Sequence, residues 1–260
     1  MTRVSSQVST AVSVGRLCLR VFRERDMMYH AAAISYYTLV SLVPLLTLLL
    51  FVTTVLHEEA VATMITAFVG TYLLPANEEI LLEQLVGLAR AGHHTVIGLA
   101  VAVWGAFRTV TGIKRSFAGL YEPASRGVVK RVRETVLTFF TVGFALFAAA
   151  GTAAVIGFLD HPGSVFGPLV LGFTLVIVFF PIYYFLPDAD LSASEVLPGA
   201  VLAATGWSVL STLFGSYIGF TGGSGAGVVG SVLLLLTWFY IAGILLLFGC
   251  VLNAVLVGHV

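Results

Sequence analysis

Residues 196–260 contain no Lys, Arg, Asp or Glu. This charge-free run is 65 residues long, whereas one helix needs only about 20 apolar residues to cross a membrane. Five glycines between Gly219 and Gly227 divide the run into two parts. It therefore predicts two membrane-spanning helices, residues 196–220 and 228–258, joined by a glycine-rich turn.

A second charge-free run, residues 31–56, has two halves of different character. The second half is mostly aliphatic, whereas the first contains Tyr36, Tyr37, Ser41 and Pro44. A helix that only anchors a protein has no physical need for hydroxyl groups, or for a proline that frees a backbone carbonyl inside lipid. We therefore predict a spanning helix whose polar half faces something wetter than lipid.

The composition of the whole chain fits a membrane domain. Hydrophobic residues make up 58% of it and charged residues 10%, against about 25% charged residues in a soluble protein. The pattern predicts an all-α polytopic membrane protein, a single domain of residues 1–260 whose partner is the lipid bilayer. The six predicted transmembrane helices are residues 31–56, 95–113, 135–159, 164–186, 196–220 and 228–258.

The basic residues outside these spans predict the orientation. Residues 1–30 hold five arginines and residues 114–134 hold six lysines and arginines, whereas residues 57–94 hold one arginine. The positive-inside rule places both termini in the cytoplasm, in a protein of the cell membrane. Residues 1–30 are then a cytoplasmic amphipathic helix that lies either in the headgroup plane or against the protein itself. Residues 57–94 are predicted to form two short amphipathic extracellular helices.

Several classes of function lack support in the residues. A net charge of zero argues against nucleic-acid binding, which needs a clustered basic face. Cys18 and Cys250 match no metal-binding or redox spacing. Asp188 and Asp190 form a D-x-D pair, but a solvated turn explains that spacing better than a metal site. We predict neither an enzyme nor a metal or cofactor site.

The polar residues within the spans are the candidate cavity or substrate path. Tyr37 and Ser41 are four residues apart and share one helix face, and we predict that they line a cavity with Asn253; the alternative is interhelical hydrogen bonding in a dry bundle. Arg108 either extends to the headgroups or holds an anionic group, for which its paired donors are suited. The full candidate set is Tyr36, Tyr37, Ser41, Pro44, Arg108 and Asn253.

A second set of residues is predicted to shape helix packing or bending. Small residues let helices approach closely in lipid, and prolines inside helices kink them. Pro198 is expected in the first turn of its helix, where a proline costs nothing. Tyr183, Tyr184 and Tyr217 are assigned to the interfacial aromatic belt. The packing and hinge candidates are Pro181, Pro198, Gly199, Gly206, Gly230 and Gly249.

Three segments carry a resemblance to a known family: AAAISYYTLVSLVPLL in the first span, LPGAVLAATGW at residues 197–207 and WFYIAGILLLFGCVLNA at residues 238–254. In this order they resemble the YihY/BrkB family of multi-pass inner-membrane proteins, formerly labelled ribonuclease BN. The chain departs from that family at Cys250, where a small residue is expected, and at Leu252, where an acidic residue is frequent. The resemblance implies a transporter-like protein of unknown substrate. The polar, proline-bearing spans add the leading hypothesis, a transporter or lipid-handling protein that acts on an unknown small-molecule or lipid substrate. A membrane-associated ribonuclease and a non-transporting scaffold are the alternatives.

Overall fold

The computed structural model describes residues 2–56, 95–121, 133, 166–187, 189–221 and 227–260. The predicted extracellular helices of residues 57–94 and the predicted span at residues 135–159 lie outside this part. All regular secondary structure within it is α-helical, as predicted. Its six helices are α1 (Thr2–Glu24), α2 (Met27–Leu56), α3 (Thr95–Ala118), α4 (Phe166–Phe185), α5 (Ala193–Thr221) and α6 (Gly227–Val257).

Helices α2 to α6 coincide with five of the six predicted spans, and their ends agree with the predicted ends within four residues. The exception is α3, which ends five residues after the predicted end of its span. Within the described ranges, the stretches Ala193–Phe214 and Val232–Val257 are long and apolar enough to cross a membrane, and Gly172–Phe185 is a shorter apolar stretch. These five predicted spans are therefore confirmed as helices, whereas the number of membrane crossings stays a prediction.

A two-residue turn joins α1 to α2. Asp26 adopts a left-handed backbone conformation with φ of 51°, which Asp tolerates better than most side chains. The Asp26 carbonyl accepts from the N–H of Tyr29 at 3.0 Å and so starts α2. The turn directs α1 back onto α6, where the Phe22 and Phe248 rings lie 5.7 Å apart. Of the two alternatives for this segment, packing against the protein itself is observed for one face of α1, and the other face is exposed.

Among the described helices, α6 packs against both α2 and α5 and runs antiparallel to them. Gly243 of α6 lies against Ala31, since a Cβ on this glycine would be 3.2 Å from the Ala31 carbonyl oxygen. Further along α2, Leu39 and Leu42 pack against the earlier part of α6. On the other side, α5 packs between α4 and α6. The N-termini of α2 and α5 therefore lie at the same end of the bundle as the C-terminus of α6.

The charged side chains of the described helices α2 to α6 collect at this one end. Helix α3 is antiparallel to α2, because Gly105 faces Ser41 and Gly112 faces Ile34, so the C-terminus of α3 is also at the charged end. At this end lie Arg23, Glu24, Arg25 and Asp26 around the turn between α1 and α2, Lys114 and Arg115 of α3, and Asp190 and Glu195 around the start of α5. Among helices α2 to α6, the charge that lies furthest from this end is Arg108.

Candidate functional site

Helices α2 and α3 approach most closely where Ser41 meets Gly105. A Cβ on Gly105 would lie 2.7 Å from the Ser41 Cβ and 3.0 Å from its Cα, so any larger residue would force the helices apart. The Ser41 hydroxyl donates to the Thr38 carbonyl of its own helix at 3.0 Å and is buried. Pro44, one turn further along, faces Gly98. Ser41 therefore contributes close packing here, and its hydroxyl proton is already used.

This contact brings together an arginine and two aromatic rings, which we call the Arg108 site: Tyr37 of α2 with Trp104 and Arg108 of α3. The Tyr37 and Trp104 rings meet edge to face, with centroids 5.6 Å apart. The guanidinium carbon of Arg108 lies 5.8 Å from the Tyr37 centroid and 5.5 Å from the Trp104 centroid. Both distances are within the range of cation–π attraction. Two rings therefore hold the guanidinium, and it forms no ion pair with any residue that the structure describes.

The surroundings of the Arg108 site are apolar and open. Arg108 itself is exposed, and Trp104 and Phe107 are 46% and 67% exposed. Tyr36 is also exposed, and its ring meets that of Tyr37 at 5.4 Å. Arg108 precedes Lys114 by six residues, about 9 Å along the helix. The site is thus a single cation set back from the charged end, in a surface of aromatic and aliphatic side chains.

A second polar site, the Asn253 clip, joins α6 to the start of α5. Asn253 is fully buried (0% exposed). Its Oδ1 accepts from the Gly199 N–H at 2.7 Å, and its Nδ2 donates to the Val196 carbonyl at 3.1 Å. These two backbone groups flank Pro198, which has no N–H and disturbs the helical hydrogen-bond ladder around it. The side chain of Asn253 therefore binds the backbone of another helix on both sides of this proline.

The position of Pro198 differs from the prediction. Helix α5 begins at Ala193, so Pro198 is its sixth residue and lies beyond the first turn. The reason is a cap upstream: the Ser192 N–H donates to the Glu195 carboxylate at 2.7 Å, which is the carboxylate half of a capping box, and the Glu195 N–H donates to the Ser192 carbonyl at 3.1 Å. This cap extends the helix toward the N-terminus and leaves Pro198 inside it, between the two backbone groups that Asn253 binds.

Two glycines make the Asn253 clip possible. A Cβ on Gly199 would collide with the Gly249 carbonyl oxygen and with the Asn253 amide, and a Cβ on Gly249 would collide with the Tyr183 hydroxyl. Gly206, further along α5, lies against the flexible Leu245 side chain. Backbone therefore meets backbone at Gly199 and Gly249, as small residues permit between helices in lipid.

Tyr183 corrects a prediction, because it does not belong to an interfacial belt. It is buried, its hydroxyl donates to the Leu246 carbonyl at 2.7 Å, and its ring stacks on Phe117 at 5.9 Å. Pro181, two residues earlier in α4, is buried as well. Tyr184 and Tyr217 are exposed. Tyr183 fills the space beside Gly249 and ties α4 to α6.

Tyr121, which the sequence did not single out, closes the charged end of the bundle. Its hydroxyl donates to the Cys250 carbonyl at 3.3 Å, and its ring meets that of His259 at 5.4 Å. Burial raises the pKa of Tyr121 well above its ordinary value, so the hydroxyl keeps its proton and acts as a donor. Cys250 is fully buried, and its Sγ lies 4.0 Å from the Tyr121 hydroxyl oxygen. A larger side chain at this position would displace the Tyr121 hydroxyl.

The structure brings together some of the predicted site residues and separates others. Tyr37 and Arg108 meet, and Trp104 joins them. The i, i+4 spacing of Trp104 and Arg108 was the signal available in the sequence.

Asn253 lies in another part of the bundle. Ala31 of α2 and Gly243 of α6 lie at the same level, where the two antiparallel helices touch. Ser41 is ten residues from this level toward one end, and Asn253 is ten residues from it toward the other end. Ser41 and Asn253 are therefore about 30 Å apart along the helix axes. Asn253 therefore does not share a site with Tyr37 and Ser41.

The remaining candidates contribute less to either site. Gly230 lies near the start of α6 and is half-buried. Asp188 of the D-x-D pair is outside the described residues. Across the residues that are described, no group of three or more His, Cys, Asp or Glu side chains is placed to hold a metal ion.

Comparison with known proteins places the chain among membrane proteins. The family model described as Virulence factor BrkB matches residues 18–259. The protein YfkH of Bacillus subtilis (strain 168), whose name describes it as ribonuclease-like, is 30% identical over 245 residues, which cover 87% of this chain and 88% of YfkH. No solved structure matches the chain.

Two further relatives are named only as UPF0761 membrane proteins. The one from Psychrobacter sp. (strain PRwf-1) is 27% identical over 90% of this chain and 46% of its own length. The one from Pseudomonas aeruginosa (strain LESB58) is 25% identical over 85% of this chain and 57% of its own length. The chain thus spans about half the length of these two relatives. With the family match over residues 18–259, these similarities confirm the resemblance: the chain belongs to the BrkB family of membrane proteins.

Proposed function

We propose that this protein is a multi-pass, transporter-like membrane protein that handles an amphipathic molecule with an anionic group, such as an acidic lipid. One observation carries the proposal: the guanidinium of Arg108 lies 5.5 and 5.8 Å from two ring centroids on an exposed apolar face. A substrate with an anionic head and an apolar body matches both parts of this surface.

Energetics favour a ligand at this position over an arginine without a role. A charged side chain within the hydrocarbon region costs about 2.5–3.5 kcal/mol even on the most permissive scale. Extension to the headgroups would reduce that cost, but in the structure the guanidinium lies beside the Tyr37 and Trp104 rings instead. A phosphate or carboxylate bound by its paired donors would offset the charge in place. The rings and Phe107 would then contact the apolar part of the same molecule.

The six-span topology with both termini in the cytoplasm belongs to this proposal. It is supported by the collection of charged residues at one end of the described bundle, which is the end that the positive-inside rule assigns to the cytoplasm. The opposite end of the bundle, where α6 begins at Gly227, would then face the outside of the cell.

The test is lipid movement in reconstituted liposomes. Protein is inserted into vesicles that contain fluorescent phosphatidylglycerol, and the fraction of label reached by an impermeant quencher is followed over time. We expect protein-dependent movement that Arg108→Gln abolishes and Arg108→Lys strongly reduces, because an ammonium lacks the planar paired donors. Arg115→Gln, a matched change at the exposed end of α3, should move lipid like the native protein.

Two results would contradict the proposal. Equal movement in the native, Arg108→Gln and Arg108→Lys proteins would show that the cation has no part in it. Absence of any movement of phosphatidylglycerol, with all variants inserted and folded, would favour the scaffold alternative. The ribonuclease alternative rests on the family's former label and on the name of one relative, and cleavage of a tRNA precursor by the same purified protein would establish it.

A further inference from the structure

The outer face of α1 combines arginines with exposed aliphatic side chains. Cys18, Val21 and Phe22 on the inner face are buried against α6. The opposite face, spaced at i, i+4, i+7, i+8 and i+11, is exposed throughout and consists of Val12, Arg16, Leu19, Arg20 and Arg23. Leu19 is 60% exposed although it lies in the middle of the helix. A solvated helix has no need for exposed aliphatic residues between its charges, whereas a helix lying in a membrane interface does.

The arginines of this face have no acidic partner among the described residues. Glu24, which ends α1, is the helix's one acidic residue and lies four residues after Arg20, yet no salt bridge forms between them. The three guanidinium groups, Arg16, Arg20 and Arg23, therefore present a net positive surface with its hydrogen-bond donors available.

The fold holds this face at the boundary of the hydrophobic bundle. The turn at Arg25 and Asp26 leads directly into α2, and Lys114 and Arg115 lie at the same end. Tyr29, in the first turn of α2, is 77% exposed, as expected of a tyrosine at headgroup depth. Because Phe22 is packed on Phe248, α1 cannot move away from this level without breaking its contact with α6.

We propose that this outer face of α1 binds the anionic phosphate headgroups of the adjacent membrane leaflet, with Val12 and Leu19 inserted between the lipids. Charge complementarity selects this partner, because each basic residue near an anionic leaflet favours association by roughly fivefold and the attraction is screened by salt. The surface is separate from the Arg108 site and does not depend on transport.

The test places a fluorescent reporter on the face itself. In the protein with Cys18→Ala and Cys250→Ala, Leu19→Cys is labelled with an environment-sensitive dye. The same label on Leu19→Cys with both native cysteines kept is a control for these two changes, because both native thiols are buried. The protein is inserted into nanodiscs of phosphatidylcholine alone or with phosphatidylglycerol, each containing a nitroxide-labelled lipid as quencher.

We expect phosphatidylglycerol to shift the emission to shorter wavelengths and to increase quenching severalfold, and high salt to reverse both effects. The triple variant Arg16→Gln, Arg20→Gln, Arg23→Gln should lose the response, with association weakened on the order of a hundredfold. Arg115→Gln, a matched loss of charge outside α1, should keep it. These changes are on exposed residues, and unchanged elution and melting will verify folding.

Two outcomes would overturn the proposal. A label that stays in a water-like environment in both membranes means that the face does not meet lipid, and a soluble partner becomes the better explanation of its charge. A label that is quenched equally in both membranes and in the triple variant means that apolar contact alone holds the helix, without headgroup recognition.

Discussion

The Asn253 clip and the Arg108 site are both polar groups in an apolar bundle, but they differ in what surrounds them. Both amide atoms of Asn253 are hydrogen-bonded to α5, and the residue is fully buried. Arg108 is exposed and, within the part of the chain that the structure describes, is held by the faces of two rings. A polar group whose bonding capacity is filled by its own protein stabilises the fold, whereas one that keeps donors available can recognise something else. The predictions below test this distinction, from the largest effect to the smallest.

The largest effect is expected at the glycine of the clip. Gly199→Ala places a Cβ against the Gly249 carbonyl and the Asn253 amide, and backbone cannot move aside as a flexible side chain can. We expect a loss of about 3 kcal/mol or more in the free energy of unfolding, at the upper end for overpacking. Melting of the purified protein in detergent measures it. Gly172→Ala in α4 is the matched control, because a Cβ there meets nothing within 4 Å. Equal melting of the two variants would contradict the close contact.

Asn253→Leu removes both bonds of the clip and leaves the Gly199 N–H and the Val196 carbonyl buried. We expect a loss of about 1–3 kcal/mol, the cost of unsatisfied buried polar groups. This exceeds the average of about 0.6 kcal/mol for an interhelical hydrogen bond in a membrane, because the groups left behind belong to a helix already interrupted by Pro198. Chemical unfolding in detergent measures the change. If folding and lipid movement are both unaffected, Asn253 has neither a structural nor a functional role.

Arg108→Gln tests the other half of the comparison. Its side chain is exposed and its contacts are cation–π, which contribute about 0.5–1 kcal/mol at exposed sites. We therefore expect the melting temperature to change little while the proposed lipid movement is lost. Melting and transport are measured on one preparation. A large loss of stability would place Arg108 with Asn253 among the structural residues.

The smallest effect concerns the cap of α5. The backbone N–H of Ser192 lowers the pKa of the Glu195 carboxyl, so the ionised form is favoured in the folded protein. Its contribution to stability is present above the unfolded pKa of about 4.3 and is lost as the pH falls through the folded value. Glu195→Gln should therefore melt slightly lower than the native protein at neutral pH, and the difference should disappear in acid. A difference that is constant with pH would contradict the capping role. Glu24→Gln provides the control for loss of an exposed carboxylate.

The two regions also differ in how far the sequence predicted them. Trp104 and Arg108 belong to one helix at i, i+4 spacing, so the sequence predicts that these two members of the Arg108 site are neighbours. The clip joins residues 54 and 57 positions apart, and the Tyr121–Cys250 contact joins residues 129 positions apart. The assignment of Tyr183 to an interfacial belt was wrong for the same reason, since hydropathy does not identify which neighbouring helix faces a side chain.

The sequence by itself determined that this chain is helical, where its apolar helices lie, at which end their charges collect and to which family it belongs. These properties depend on hydrophobicity summed along one segment, and each segment carries its own signal. Only the tertiary structure decided which polar residues are satisfied within the bundle and which are exposed. That depends on helix rotation and on close approach at Gly105, Gly199 and Gly249, where removal of a single methyl group lets backbones meet.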